Sequence, residues 1–208
     1  MNKVHTIFII GLLFMSFVLL DNSQPYNSIN KHQYSNIKLY DLKNEASLKL
    51  VDVLDSNLNV LIFHSIDCPF NRAYQSRLDT LQKDFSNDSV AFVYVNSNVS
   101  EKSKIIENPK MVDFISTHSS SYLLDNTRKI ERILNSVNHT SIKNGTSIVC
   151  QLEQKKLKIY YIGPIDETPQ KKYTNSNGLL KSAIESALIN QPTNNDSIIN
   201  TGCRIINH

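Results

Sequence analysis

At 208 residues the chain has room for one ordinary domain and a little more. Its 40% hydrophobic and 20% charged residues are those of a globular protein. A net charge of +3 and 22 scattered Lys and Arg exclude the basic stripe, interleaved with aromatics, that a nucleic-acid partner requires.

The chain opens with a short basic start, Met1-Asn-Lys3-Val-His5, and an apolar run from Thr6 to Leu20. That run is short for a spanning helix, which takes roughly 20 residues, and suits the apolar region of a secretory signal. Residues 1–20 read as a signal peptide or membrane anchor. Leu19-Leu20-Asp21-Asn22-Ser23 lacks a small-x-small cleavage pattern, so both readings stay open, the second as a membrane tether through residues 6–20. The expected location is exported: periplasmic or secreted. Residues 21–35 are polar and read as a linker, residues 36–191 as the domain, and residues 192–208 as a C-terminal tail.

Within the domain, Asn36–Leu42 reads as a short strand, and Ala46–Leu54 as a helix from the spacing of Leu48, Val51 and Leu54. Asn59–Phe63 is an apolar strand. A helix follows over 70–85, with Tyr74, Leu78, Leu81 and Phe85 on one face. Val90–Val95 is a second buried strand, 96–107 a loop with a helical turn, and Pro109 opens a helix to about Thr117. Asp125 is the N-cap of a helix carrying Ile130, Ile133 and Leu134. Ile148–Leu152 and Leu157–Ile162 make a hairpin, Asp166 and Glu167 a solvated turn, and 178–189 a last helix. The fold class is α/β.

Three cysteines occur: Cys68, Cys150 and Cys203. Export allows disulfides to persist, and an odd count leaves at least one thiol unpaired. Cys68 ends a Val- and Ile-rich strand and starts a helix, with Pro69 in the first turn. Unpaired N–H groups there favour thiolate over thiol. Asn71 stands where a Cys-x-x-Cys pair would have its second sulfur. Cys203, on the polar tail, is the candidate resolving thiol; a static disulfide or an unpaired tail thiol are the alternatives. Cys150, mid-strand, reads as a packed core thiol. Asp67 opposes thiolate formation if it lies close, and Arg72 offsets it from one helical turn away. His64 with Cys68 falls short of a metal site, since no further ligand has the right spacing. No organic cofactor is implied. Five Asn-x-Ser/Thr sequons, at Asn87, Asn98, Asn138, Asn144 and Asn195, carry little weight in so Asn-rich a chain.

The run Phe63-His-Ser-Ile-Asp-Cys68-Pro69-Phe70-Asn71-Arg72-Ala73-Tyr74, with Arg77-Leu78 after it, resembles exported bacterial redoxins. These belong to the alkyl hydroperoxide reductase/thiol-specific antioxidant branch of the thioredoxin superfamily. Tyr161-Ile-Gly163-Pro-Ile165-Asp166 and Gly202-Cys203-Arg204-Ile205 are similar to that family's hairpin end and C-terminal ending. The resemblance implies a thioredoxin-like sandwich, a central mixed β-sheet flanked by helices, in agreement with the order of elements. It also implies antioxidant or thiol-disulfide chemistry. Cys68 and Cys203 would be catalytic, while Ser65, Pro69, Arg72 and Thr146 would tune the thiol or shape the substrate groove. The partners would be a protein or small-molecule disulfide or peroxide and an external thiol reductant. Two departures stand out. Gly145-Thr146-Ser147-Ile148 carries no proline where such folds place a cis-proline, and Leu61 and Ser65 replace the Pro and Thr of typical peroxiredoxins. A catalytically inactive binding module on the same fold is the alternative, and a copper-handling protein a third.

Overall fold

A computed structural model describes residues 27–138, 141–154, 156–167, 178–191, 193 and 202–206. Residues 1–20, read as an export segment, lie outside them, as does most of the tail. Among the described residues no helix is long and apolar enough to cross a membrane.

The scaffold grows from β4 (Leu58–Phe63), whose six residues are all buried. Leu58, Val60 and Ile62 enter one core with Tyr74, Leu78 and Leu81. Leu61 and Phe63 enter a second core, with Ile130 and Leu134 on the opposite face. A strand covered on both faces reads as a continuous apolar run, as β4 does. Tyr74, Leu78 and Leu81 belong to α3 (Pro69–Asp84), Ile130 and Leu134 to α6 (Lys129–Asn138), and Leu180, Ala183 and Ile184 of α7 (Leu179–Leu188) complete the first core.

Beside β4 run β5 (Val90–Asn96), parallel, and β7 (Thr146–Glu153), antiparallel. β8 (Lys156–Pro164) pairs with β7 as the hairpin. A parallel β-α-β unit, a neighbouring antiparallel hairpin and a covering helix form the thioredoxin-like arrangement. Five further elements lie between or outside these: β6 (Ser121–Leu124), parallel to β5; β2 (Lys38–Asp41); α4 (Lys102–Glu107) and α5 (Pro109–Thr117); and a 3₁₀ turn at Val99–Glu101. With β1 (Asn27–Asn30) and β3 (Ala46–Lys49) the sheet has eight strands among the described residues, in the order β1-β8-β7-β4-β5-β6-β2-β3.

Three expectations are corrected. The stretch read as a linker, 21–35, supplies β1 and α1 (Lys31–Tyr34). β1 pairs with β8, and Ile29 and Tyr34 are buried in the second core. Two apolar side chains among polar neighbours show no periodicity, yet pairing with a formed edge suffices to hold the segment. The helix read over 46–54 divides into β3 and a single turn, α2 (Leu50–Val53), because residues 46–49 fold back on β2. Asp166 is not a solvated turn residue: its carboxylate lies 3.0 Å from the Arg77 guanidinium, and both groups are buried. The Tyr74 hydroxyl donates to the Asp166 carbonyl, so α3 is fastened to the end of β8 at two points.

Asp125 serves its helix from further back than a simple N-cap. Its carboxylate accepts the Lys129 and Ile130 N–H groups at 3.1 and 2.9 Å.

Candidate functional site

β4 ends at Phe63, and a tight turn, 64–67, delivers the chain to α3. Cys68 is the N-cap of α3 with Pro69 at the first helical position, where a missing N–H leaves nothing unsatisfied. The Cys68 sulfur therefore sits at the positive end of a sixteen-residue helix. It is joined in a disulfide to Cys203, with 5.9 Å between the Cα atoms and a sequence separation of 135. Cys68 is only 1% exposed, whereas Cys203 is partly exposed.

The turn before Cys68 is held by a carboxylate remote in sequence. Glu101, buried in the 3₁₀ turn after β5, accepts the Ser65 hydroxyl at 2.6 Å, the Ile66 N–H at 3.2 Å and an Asn96 amide N–H at 2.8 Å. Ser65 Oγ in turn accepts the Asp67 N–H. Asn71, from the first turn of α3, accepts the Ser65 N–H and donates to the Phe63 carbonyl. Ser65 thus shapes the loop, and its hydroxyl proton is committed to Glu101. Arg72 is exposed and donates to the Ile66 carbonyl, while Asp67 is paired with Lys104 at 2.8 Å. That hydrogen bond and the Asp67 charge raise the pKa of the exposed Lys104 ammonium.

The C-terminal segment closes the other side. The Asn144 N–H donates to the Cys203 carbonyl at 2.8 Å, an antiparallel bridge at the loop before β7. The Ile206 N–H donates to Asn98 Oδ1 at 2.8 Å, and Asn98 reaches Asn144 through its amide. Ile205, 4% exposed, is part of the second core. A Cβ on Gly202 would lie 2.2 Å from the Asn144 carbonyl oxygen, so only glycine lets the segment pass so close. Gly145, at φ 97°, turns the loop and donates to the Phe63 carbonyl. Thr146 is fully buried; its hydroxyl accepts the Lys143 N–H and lies outside the cleft, where Asn144 stands instead.

Beside the disulfide lies a cleft of about 160 Å³, lined among others by Asp67, Asn98, Glu101, Lys104, Asn144 and Arg204. Four of these, Asn98, Glu101, Lys104 and Asn144, went unmarked in sequence; the sole signal at Asn98 and Asn144 was a sequon, and both side chains are buried.

His64 points elsewhere. It sits under Tyr94, Phe114 and Tyr122, with Nδ1 2.8 Å from the Tyr122 hydroxyl, and burial lowers its pKa to about 4. Among the described residues no three His, Cys, Asp or Glu side chains gather where a metal ion would bind. Cys150 is free and fully buried in β7; burial pushes its thiol up to about 12. A group held so far above neutral pH is not a nucleophile there.

No family model matches the chain, and no curated protein does either. Solved structures do. A hypothetical protein of Sinorhizobium meliloti is 19% identical, with a TM-score of 0.64, over 88% of this chain and 95% of the other. An uncharacterized conserved protein of Geobacillus kaustophilus is 21% identical, with a TM-score of 0.65, over 88% and 93%. A thioredoxin-like protein of Aeropyrum pernix is more distant, 18% identical with a TM-score of 0.48 over 75% and 91%. What the chain shares with the first two is the fold.

Proposed function

We propose that this chain is a thiol-dependent oxidoreductase that alternates between a Cys68–Cys203 disulfide and the corresponding dithiol. One observation carries the reading: a helix-start cysteine is bridged to a C-terminal cysteine beside a cleft. In the oxidising half-reaction the Cys68 thiolate attacks a disulfide sulfur, expelling a thiolate, or a peroxide oxygen, expelling an alkoxide or hydroxide and leaving Cys68 as sulfenic acid. The Cys203 sulfur then attacks Cys68, forms the disulfide and releases the second thiolate or water. Two equivalents of an external thiol restore the dithiol.

The finer reading is an exported redoxin of the alkyl hydroperoxide reductase/thiol-specific antioxidant branch, with residues 6–20 as signal or tether. It rests on the motif resemblance. Ser65 and Pro69 support Cys68 by shaping its loop and opening its helix; Arg72 and Thr146 contribute through backbone carbonyl and loop contacts rather than at the sulfur.

A second reading has one observation in its favour. Cys68 is almost wholly covered in the disulfide form, which suits a static bridge in a binding module. Differential alkylation with mass spectrometry, before and after a peroxide pulse on the reduced protein, separates the two. The redox reading expects a sulfenic adduct on Cys68 and then the Cys68–Cys203 peptide, both lost in Cys68→Ser. A bridge that never re-forms on oxidation decides for the binding module.

A further inference from the structure

The disulfide is the covalent member of a larger set of contacts holding the C-terminal segment, and those contacts bear on which thiols reach it. The Cys203 carbonyl occupies the Asn144 N–H, the Ile206 N–H is held by Asn98, and Ile205 is buried in the core. None of these is made through a sulfur atom. The backbone edge at Asn144, where an extended peptide would add itself as a strand, is already filled from within the chain. Among the described residues the open approach is the cleft, whose 160 Å³ is close to the ~150 Å³ of a cavity that admits benzene. It has room for a small thiol, and Cys203 is the more exposed residue of the pair.

We infer, on the redox reading above, that the site exchanges electrons with low-molecular-weight thiols entering through this cleft, and that the C-terminal segment excludes cysteines carried on extended polypeptide. The small thiolate attacks Cys203 Sγ and forms a mixed disulfide. The Cys203–Cys68 bond breaks, and Cys68 takes the electron pair, leaving as a thiolate at the start of α3. A second small thiolate attacks the sulfur of the first, forming the small-molecule disulfide and releasing the Cys203 thiolate, which takes a proton from water. Two thiols are oxidised and one protein disulfide is reduced.

The experiment measures second-order rates of reduction of the native oxidised protein by 2-mercaptoethanol and by a linear peptide with one central cysteine. Each rate is normalised to that of the same thiol with a free disulfide in solution. Reduction by 2-mercaptoethanol is expected to be faster by about tenfold or more, because the peptide reacts only from the fraction of molecules with the segment displaced. Rapid acid quenching should find the first adduct on Cys203, with Cys68 free. In Gly202→Ala, where the added methyl forces the segment off Asn144, the rate ratio should fall toward one. Equal normalised rates in the wild type, a first adduct on Cys68, or a ratio unchanged in Gly202→Ala with its segment displaced would each overturn the inference. A native disulfide that resists even dithiothreitol would instead remove the redox reading on which it rests.

Discussion

Glu101 and His64 are two buried titratable residues with different work. Glu101 accepts three hydrogen bonds, two of them from the turn that delivers Cys68. Glu101→Ala strands those donors in a buried site and should destabilise the oxidised protein by about 2–3 kcal/mol in urea denaturation, with Glu101→Gln milder. Cys68 alkylation in the reduced protein should change in the same order, because the loop that aims the sulfur loosens. His64 is held neutral, with a folded pKa of about 4 against about 6.5 when unfolded. The unfolded chain therefore binds a proton first as pH falls, so the stability that His64 confers is complete above pH 6.5 and is lost on descending to about 4. The loss attributable to His64 is about 3 kcal/mol at most. Denaturation midpoints at neutral and acidic pH should show a shallower acid loss in His64→Asn than in the wild type, and equal slopes would refute it.

Among the elements, α3 is fixed at its start and along its length. Its start carries the cysteine, its apolar face enters the first core, and Arg77 fastens it to Asp166 beyond β8. Removing one partner of a buried pair leaves an uncompensated charge, so Asp166→Ala should cost about 3–5 kcal/mol. A joint Arg77→Met, Asp166→Leu variant should lose much less. Equal losses in the single and double variants would mean that the pair's charge is not what matters. The long periodic elements are legible in sequence for the same reason that α3 is stable: each repeats its apolar positions over several turns or alternations. The four-residue β1, β3 and β6 repeat too few positions to show a period, whereas the equally short β2 is legible from the alternation of Ile37 and Leu39 with polar neighbours. The conformation of β1, β3 and β6 is set by the strand beside them.

At the scale of the whole molecule the disulfide closes a loop of 135 residues. Chain entropy alone assigns such a closure about 5 kcal/mol, toward the upper end of what disulfides deliver. Reduced protein should unfold at clearly lower denaturant than oxidised protein, and Cys203→Ser should match the reduced form; identical midpoints would show that the bridge carries no stability. The sequence by itself determined the α/β class, the strand-cysteine-helix unit at Cys68, the core role of Cys150 and the candidacy of Cys203, because each depends on near neighbours and their spacing. The lack of a proline in Gly145-Thr146-Ser147-Ile148 was equally visible, but not that the C-terminal segment fills the edge at Asn144. Only the tertiary structure decided which polar residues surround the sulfurs. Ser65 meets Glu101 across 36 residues and Ile206 meets Asn98 across 108. Local pattern carries no record of such partners, since a buried asparagine or glutamate reads as a solvated one until the fold supplies the groups that satisfy it.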